Sequence, residues 1–283
     1  MSGTWDADEP EEPVRIGPAG WLRVVLRGLA VGTVVFGGLG VLLLLRLIER
    51  PLNGVQRPWT PYVTQSVCRV ALVLMGLRLT VRGQQMQHHG AIVANHSSWL
   101  DIFVLNSRKN IYFVSKSEVA GWPGIGWLAR ATGTLFIRRD PRQARAQTRL
   151  FEDRLLAGHK LLFFPEGTST DGLRVLPFKS TLYAAFFSEH LKHRIWVQPV
   201  TLVYHAPKGE SLRFYGWWGD MDFGSHLLKT LAARRQGWIE LIYHAPLRVD
   251  DFPNRKSLAR ATEDSVRESH KKSLENQKLR ERS

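Results

Sequence analysis

A histidine and an aspartate five residues apart are the pair whose types and spacing most clearly indicate chemistry. His96 follows an apolar run that ends at Ala94, and Asp101 stands near the predicted start of a helix. A carboxylate placed there can accept a hydrogen bond from one ring nitrogen of His96, which leaves the other nitrogen free to take a proton near neutral pH. The pair has the composition of the base and its orienting group in a catalytic triad, with the hydroxyl of a substrate as the nucleophile.

The same residues also have a purely structural interpretation. Ser98 and Asp101 have the spacing of a helix capping box, in which Asp101 is the third helical residue. His96 is then an ordinary histidine of a turn. The spacing alone does not decide between the two interpretations.

A second polar loop follows the apolar run 161–164. That run stops at Pro165, and Glu166, Gly167 and Thr168 come next. A carboxylate on a glycine-containing loop directly after a buried strand is better placed to bind a polar substrate than to support the core. The polar residues of this loop could instead only form turns.

The helices and strands that position these loops are predicted from residue 79 onward. There, β-branched and aromatic runs alternate with amphipathic stretches. Strands are predicted at Leu79–Arg82, Ala91–Ala94, Ile111–Val114, Thr134–Ile137, Lys160–Phe164, Val197–Tyr204 and Ile239–Tyr243, and helices at Asp101–Asn106, Pro141–Ala157 and Thr181–Leu191. This alternation is typical of an α/β domain with a mostly parallel central sheet flanked by helices. His96 then lies at the carboxyl end of a strand, where open α/β sheets place their ligands.

The N-terminal part is predicted to be a membrane-embedded helical segment. The run Gly28–Leu45 has 18 consecutive uncharged residues, which is long enough for a short transmembrane helix. A second apolar stretch, Val63–Leu79, is interrupted by Arg69 and Arg78 and is more typical of an interfacial helix. Two helices that dip into one leaflet and a single span followed by a surface helix both fit. A buried core helix is the soluble alternative.

Charge is distributed unevenly along the chain. The net charge is +14, yet residues 1–14 contain five acids and no lysine or arginine. The basic remainder favours an anionic partner, such as nucleic acid, an anionic membrane or an acidic carrier. No nucleic-acid-binding motif accompanies the charge, so no nucleic-acid partner is expected. The single cysteine, Cys68, cannot form an internal disulfide and fits a reducing, cytoplasm-facing location.

These patterns predict four segments. The chain is divided into an acidic flexible N-terminus (1–18), the membrane-embedded helices (19–79), a catalytic domain (80–250) and a charged C-terminal tail (251–283). We expect the tail to be a solvated helix that frays into disorder.

Four motifs in order resemble a known family. The stretch from Asn95 to Asp101 resembles the His-x4-Asp motif of the glycerolipid acyltransferases of the 1-acylglycerol-3-phosphate acyltransferase type. Residues 133–139, 164–168 and 197–200 are similar to the second, third and fourth motifs of that family. A lone His-x4-Asp is a weak signal, but four motifs in family order after an apolar segment are a specific one.

The resemblance implies direct acyl transfer at the cytoplasmic face of the inner membrane. His96 and Asp101 would deprotonate the hydroxyl of a lysolipid acceptor, which attacks a thioester of acyl-carrier protein or coenzyme A. No acyl-enzyme, metal or cofactor is expected. The residues that the resemblance assigns to substrate binding are Lys116, Arg138, Arg139, Glu166, Gly167 and Thr168.

One departure bears on the acceptor. Members that handle a phosphate usually carry an arginine after Glu-Gly-Thr, and Ser169 stands there in this chain. The sequence around it looks more like the lyso-ornithine lipid O-acyltransferases. Four alternatives stay open: a dedicated 1-acylglycerol-3-phosphate acyltransferase, a hydrolase that uses the same pair on water, a non-catalytic membrane lipid-binding protein, and a nucleic-acid-binding protein.

Overall fold

The computed structural model of the protein describes residues 5–6, 15–138, 142 and 144–282. Helices and strands alternate along them. The helices are α1 (Pro18–Asn53), α2 (Thr60–Met75), α3 (Leu100–Arg108), α4 (Ile125–Thr132), α5 (Ala144–Leu156), α6 (Phe223–Ala232) and α7 (Arg255–Arg282). The strands are β1 (Arg78–Arg82), β2 (Gly90–Ala94), β3 (Tyr112–Lys116), β4 (Leu135–Ile137), β5 (Leu161–Phe163), β6 (Trp196–His205), β7 (Trp238–Tyr243) and β8 (Leu247–Arg248).

The strands form one mixed sheet in the order β1-β7-β6-β2-β5-β3-β4, with β8 paired to β6. Strands β2 to β6 are parallel to their neighbours in the centre of the sheet. Strand β7 runs antiparallel to β6, and β1 runs parallel to β7. The predicted fold class, a mostly parallel sheet flanked by helices, is confirmed.

The alternation of side chains along β2 divides the core into two layers. Ala91 and Val93 point to the layer that contains α5 and α7, whereas Ile92 and Ala94 point to the layer that contains α2, α3 and α6. Successive residues of a strand face opposite sides of the sheet, so a strand buried on both faces must be apolar throughout. This explains why the central strands are continuous apolar runs in the sequence.

Helices α1 and α2 form a hairpin closed by a buried carboxylate. Glu49, near the end of α1, accepts hydrogen bonds from the backbone N–H groups of Trp59 and Thr60 and thus caps the start of α2. Arg46 pairs with the same carboxylate at 3.0 Å. Helix α2 buries Ala71, Leu72 and Met75 against the domain, so this segment packs on the core along one face.

Helix α1 is the candidate membrane segment. It has 36 residues and is long and apolar enough to cross a membrane, and only 11% of its most apolar window is buried in the protein. Large apolar side chains along it are exposed, among them Leu29, Leu44 and Leu47. Its first turns instead contact α6, because Arg23 and Arg27 donate to the last carbonyl groups of that helix.

The C-terminal residues differ from the solvated, fraying tail that the charge pattern predicts. They form α7, which packs against β6 and the 3-10 helix Ser180–Phe187. Buried residues recur at a spacing of four along one face of α7: Leu258, Thr262, Val266 and His270. This spacing places them on one side of a helix, so the many charges occupy the other side. The predicted helix Thr181–Leu191 is replaced by the short 3-10 helix.

Candidate active site

The central parallel strands bring the predicted site residues to one edge of the sheet. These residues are His96 after β2, Lys116 at the end of β3, Arg138 after β4 and Glu166 after β5. The carboxyl ends of parallel strands meet at a common edge, and ligands of open α/β sheets bind there. The loops that follow β2 and β5, about seventy residues apart in the chain, are therefore neighbours in space.

The side chains of His96 and Asp101 are hydrogen-bonded. Nδ1 of His96 lies 2.7 Å from Oδ2 of Asp101. The carboxylate is fully buried, whereas 20% of the histidine side chain is exposed. A carboxylate can only accept, so Nδ1 carries the proton and Nε2 keeps its lone pair. In the part of the chain that the structure describes, Nε2 has no hydrogen-bond partner.

Asp101 is held by three further donors. The backbone N–H groups of Ser97 and Ser98 donate to Oδ2 at 2.9 and 3.1 Å. The hydroxyl of Tyr204, on β6, donates to Oδ1 at 2.5 Å. The contact with the Ser98 N–H is one half of the predicted capping box, although α3 begins at Leu100 and its N-cap residue, Trp99, makes no side-chain cap. Asp101 therefore supports the turn before α3 and also contacts His96.

The ring and the backbone of His96 are fixed by the loop that follows β5. The imidazole is stacked on the ring of Phe164, with centroids 4.0 Å apart. The backbone N–H of His96 donates to Oε1 of Glu166 at 2.6 Å, and its carbonyl oxygen accepts from the N–H of Thr170 at 3.0 Å. The imidazole therefore has little freedom to turn away from Asp101.

The carboxyl group of Glu166 faces the protein and not the open site. Its side chain is buried, and Oε2 accepts a second hydrogen bond, from the N–H of Leu176, at 2.6 Å. Burial raises the pKa of Glu166 to about 8, and the two backbone N–H donors act in the opposite direction. Both oxygens are thus occupied by backbone donors.

Asp171, in the same loop, is also withdrawn from solvent. Its fully buried carboxylate pairs with Arg174 at 3.0 Å and with Arg213 at 3.3 Å. The ring of Trp5 lies over the Arg174 guanidinium at 4.9 Å. Neither carboxylate of this loop is therefore free to meet the ammonium group of a substrate. Among the described residues, no three His, Cys, Asp or Glu side chains group as a metal site would need.

The remaining predicted substrate-binding residues lie at the same edge with varied exposure. Lys116 is half-buried and Arg138 is exposed. Gly167 adopts a positive φ of 74° in the turn after Pro165, and Thr168 is buried. Arg139 lies outside the described residues.

Two residues have a structural role in the site that the sequence did not predict: Asn95, which lies in the first motif, and Tyr204, which lies outside the four motifs. Asn95 binds β6 through both ends of its amide, since it donates to the carbonyl oxygen of Leu202 at 2.9 Å and accepts from its N–H at 2.8 Å. Tyr204 lies two residues further along β6 and reaches Asp101. The alternation of β6 places Leu202 and Tyr204 on one face, and that spacing of two was the available signal.

Comparison with known proteins gives the family. A family model described as Acyltransferase matches residues 78–203. The lyso-ornithine lipid O-acyltransferase of Rhodobacter capsulatus is 59% identical over 263 residues, which cover 93% of this chain and 95% of that protein. The chain belongs to this acyltransferase family. The enzyme thus carries out acyl transfer, as the motif order predicts.

Two 1-acylglycerol-3-phosphate acyltransferases are also similar to this chain. The 1-acyl-sn-glycerol-3-phosphate acyltransferase of Neisseria gonorrhoeae is 34% identical over 50% of this chain and 54% of its own length. The crystal structure of PlsC, the 1-acyl-sn-glycerophosphate acyltransferase of Thermotoga maritima, matches with a TM-score of 0.62 at 21% identity. That match covers 92% of this chain and 96% of the other, and it concerns the fold.

Proposed function

We propose that this acyltransferase moves a fatty acyl chain from a thioester of acyl-carrier protein or coenzyme A to the hydroxyl of lyso-ornithine lipid. The observation that carries the proposal is the hydrogen bond between His96 Nδ1 and Asp101, which leaves a basic Nε2 at the carboxyl edge of the sheet. The identity of 59% to a lyso-ornithine lipid O-acyltransferase supports the choice of acceptor.

The chemistry follows from the protonation of the pair. Nε2 of His96 takes the proton of the acceptor hydroxyl as its oxygen attacks the thioester carbonyl carbon. Asp101 stabilises the imidazolium that forms and keeps its ring oriented. When the carbon–sulfur bond breaks, the imidazolium returns the proton to the leaving thiolate. The acyl chain then forms an ester with the acceptor, and His96 is again neutral.

We infer separate roles for the predicted substrate-binding residues. Lys116 and Arg138, with Arg139, would supply positive charge to an acidic group of the acceptor or donor. Gly167 and Thr168 would shape the floor of the site. Glu166 would act indirectly, because its carboxyl group supports the backbone of His96 and of Leu176.

The alternative acceptor is 1-acylglycerol-3-phosphate, on which the Neisseria relative acts by name. Ser169 favours the ornithine lipid, because an arginine at that position would offer a phosphate two charge-assisted hydrogen bonds. Glu166 and Asp171 are buried, so neither carboxyl group can pair with the amine of an ornithine head group. The preference therefore rests on Ser169 and on the identity to the Rhodobacter enzyme.

The deciding experiment compares acceptors directly. Purified full-length protein in detergent is given labelled acyl-carrier protein thioester, or acyl-coenzyme A, with a panel of lysolipids. We expect kcat/KM to be larger for lyso-ornithine lipid than for lysophosphatidate, and Ser169→Arg to shift the ratio toward lysophosphatidate. Efficient use of lysophosphatidate alone by the wild type would favour the alternative. A folded protein that transfers the acyl chain to other lysolipids of the panel and not to lyso-ornithine lipid would overturn the proposed acceptor.

We also propose that α1 and α2 embed the enzyme in the inner membrane with the catalytic domain in the cytoplasm. The support is the exposed apolar face of α1 and the absence of any second cysteine in the sequence. Alkaline carbonate washing of membranes tests it. An embedded protein stays in the pellet, whereas a protein bound only by charge is released.

A further inference from the structure

A cavity lined by four arginines lies at the end of the α1–α2 hairpin. Its volume is about 610 Å³. The side chains that give it its character are Arg27, Arg78, Arg234, Arg235, Gln236 and Trp238. Arg27 reaches it from α1, Arg78 from the start of β1, and the others from the loop between α6 and β7.

Positive charge in this cavity is not neutralised by the described part of the protein. No carboxylate of the described residues lines the cavity, and none forms an ion pair with Arg78, Arg234 or Arg235. Arg82, four residues further along β1, is different because it pairs with Glu240 at 2.9 Å. Guanidinium groups that converge without a counter-ion form a site for an anion, and phosphate is the group whose geometry matches them best.

The cavity lies where the apolar part of α1 begins. Arg27 is the last charged residue before the uncharged run 28–45. Two exposed apolar side chains lie close to lining residues in the chain: Val73, three residues before Gly76, is 75% exposed, and Val25, two residues before Arg27, is 51% exposed. A soluble anion would make no use of these apolar neighbours. A phospholipid would, because its phosphate can meet the arginines while its acyl chains follow the helices.

The cavity is distinct from the site of acyl transfer. β7 begins beside the carboxyl end of β6, with Trp238 opposite His205. The cavity therefore opens at the same edge of the sheet as His96, but Arg78 on β1 lies three strands from β2, or about 14 Å across the sheet at the usual strand spacing. It is also displaced along the strands, because His205 lies five residues beyond Val200, the partner of Ala94. A lipid bound there would hold the catalytic edge toward the bilayer.

We propose that this cavity, the arginine pocket, binds the phosphate of an anionic phospholipid of the surrounding membrane. The proposal does not depend on which lysolipid is acylated, because a bound lipid at this position is not a substrate. Arg23 and Arg27 already tie α1 to the carboxyl end of α6. A lipid phosphate between Arg27 and the Arg234–Arg235 pair would extend the same contact to the bilayer.

The test measures binding to full-length protein in neutral detergent micelles by calorimetry, without turnover. Short-chain phosphatidylglycerol is the probe, with short-chain phosphatidylcholine, inorganic phosphate and coenzyme A as comparisons. The double variant Arg234→Gln, Arg235→Gln removes two exposed guanidinium groups. The matched control, Arg255→Gln with Arg260→Gln, removes the same charge from the exposed face of α7.

We expect wild type and control to bind phosphatidylglycerol alike and the Arg234, Arg235 variant to bind it roughly 30-fold more weakly. Arg78→Gln should weaken binding about fivefold, which gives a second test if the double variant unfolds. An equal loss of affinity in the Arg255, Arg260 control would show that binding depends only on net charge, and it would overturn the proposal. If inorganic phosphate binds as tightly as the lipid, the pocket is a site for soluble anions and the proposal is wrong. If the same variants lose binding of coenzyme A, the pocket is a site for the acyl donor and the proposal is also wrong.

Discussion

The hydroxyl of Tyr204 donates a 2.5 Å hydrogen bond to the carboxylate oxygen of Asp101 that does not face His96. Both side chains are buried, and their positions are 103 residues apart in the chain. Asp101 is thereby fixed from two directions, by the turn that precedes α3 and by β6. Burial and the neighbouring Asp101 both raise the pKa of Tyr204, so the phenol stays protonated and remains a donor.

Tyr204→Phe should therefore reduce kcat about tenfold, because a hydrogen bond to a charged group contributes roughly 1.5–3 kcal/mol and only part of that reaches the transition state. Without this donor the Asp101 carboxylate loses one of the contacts that fix it, so kcat should fall while the KM for the acceptor stays close to the wild-type value. Tyr215→Phe is the matched control. Tyr215 is a buried tyrosine whose ring lies 5.7 Å from that of Tyr204, and its hydroxyl bonds Gln236 and Gly237 instead. A Tyr204→Phe protein with wild-type kcat and a lower melting temperature would assign this tyrosine to stability alone.

His96→Ala should abolish acyl transfer while the protein stays folded and membrane-associated. Asp101→Asn should lower kcat by about four orders of magnitude, as expected when a base loses its orienting carboxylate. The measurement is single-turnover transfer from labelled acyl-carrier protein. His190→Ala, which removes an exposed histidine, serves as the control and should keep full activity. Wild-type rates in a folded His96→Ala protein contradict the mechanism.

Glu166→Gln separates a positioning role from contact with the acceptor. The amide has one oxygen for two backbone N–H donors, so its NH2 group must face either His96 N–H or Leu176 N–H. We expect kcat to fall while the KM for the acceptor stays within about twofold, and the free energy of unfolding to fall by about 1–3 kcal/mol. A rise in KM at unchanged kcat is the result that a head-group contact predicts.

Two buried histidines should make the protein sensitive to mild acid. Burial lowers the pKa of His226 to about 3, and burial likewise lowers the pKa of His270 to about 4 despite nearby Asp171. The unfolded chain takes up these protons near pH 6.5, so the folded state loses stability as the pH falls from 6.5 toward 4. At pH 5 each residue should cost about 2 kcal/mol.

Thermal unfolding at pH 7.5 and pH 5 checks this expectation. His270→Gln should lose less stability than the wild type between the two pH values, even if it is less stable at both. His190→Gln removes an exposed histidine and should follow the wild type. Parallel curves for all three proteins would mean that other groups set the acid sensitivity.

The sequence predicted the strands well where burial on both faces imposes apolar runs, and the boundaries of β2 and β7 differ from the prediction by one residue. It also predicted that His96 and Asp101 would meet, because that contact is local. The direction of Glu166 could not be predicted, since it depends on backbone N–H groups of two other loops. The packing of α7 on the domain could not be predicted from composition, because its buried residues form a narrow stripe among many charged residues.

The hydrogen bonds between residues 95–101 and β6 also bear on the order of events during synthesis. Residues 95–101 leave the ribosome about a hundred residues before Leu202 and Tyr204, which hold Asn95 and Asp101 in place. Helix α1, at the start of the chain, is complete much earlier and can enter the bilayer first. On the proposed topology and mechanism, a ribosome-bound chain that ends before β6 would therefore be anchored yet inert, and activity would begin only after the chain has reached the membrane.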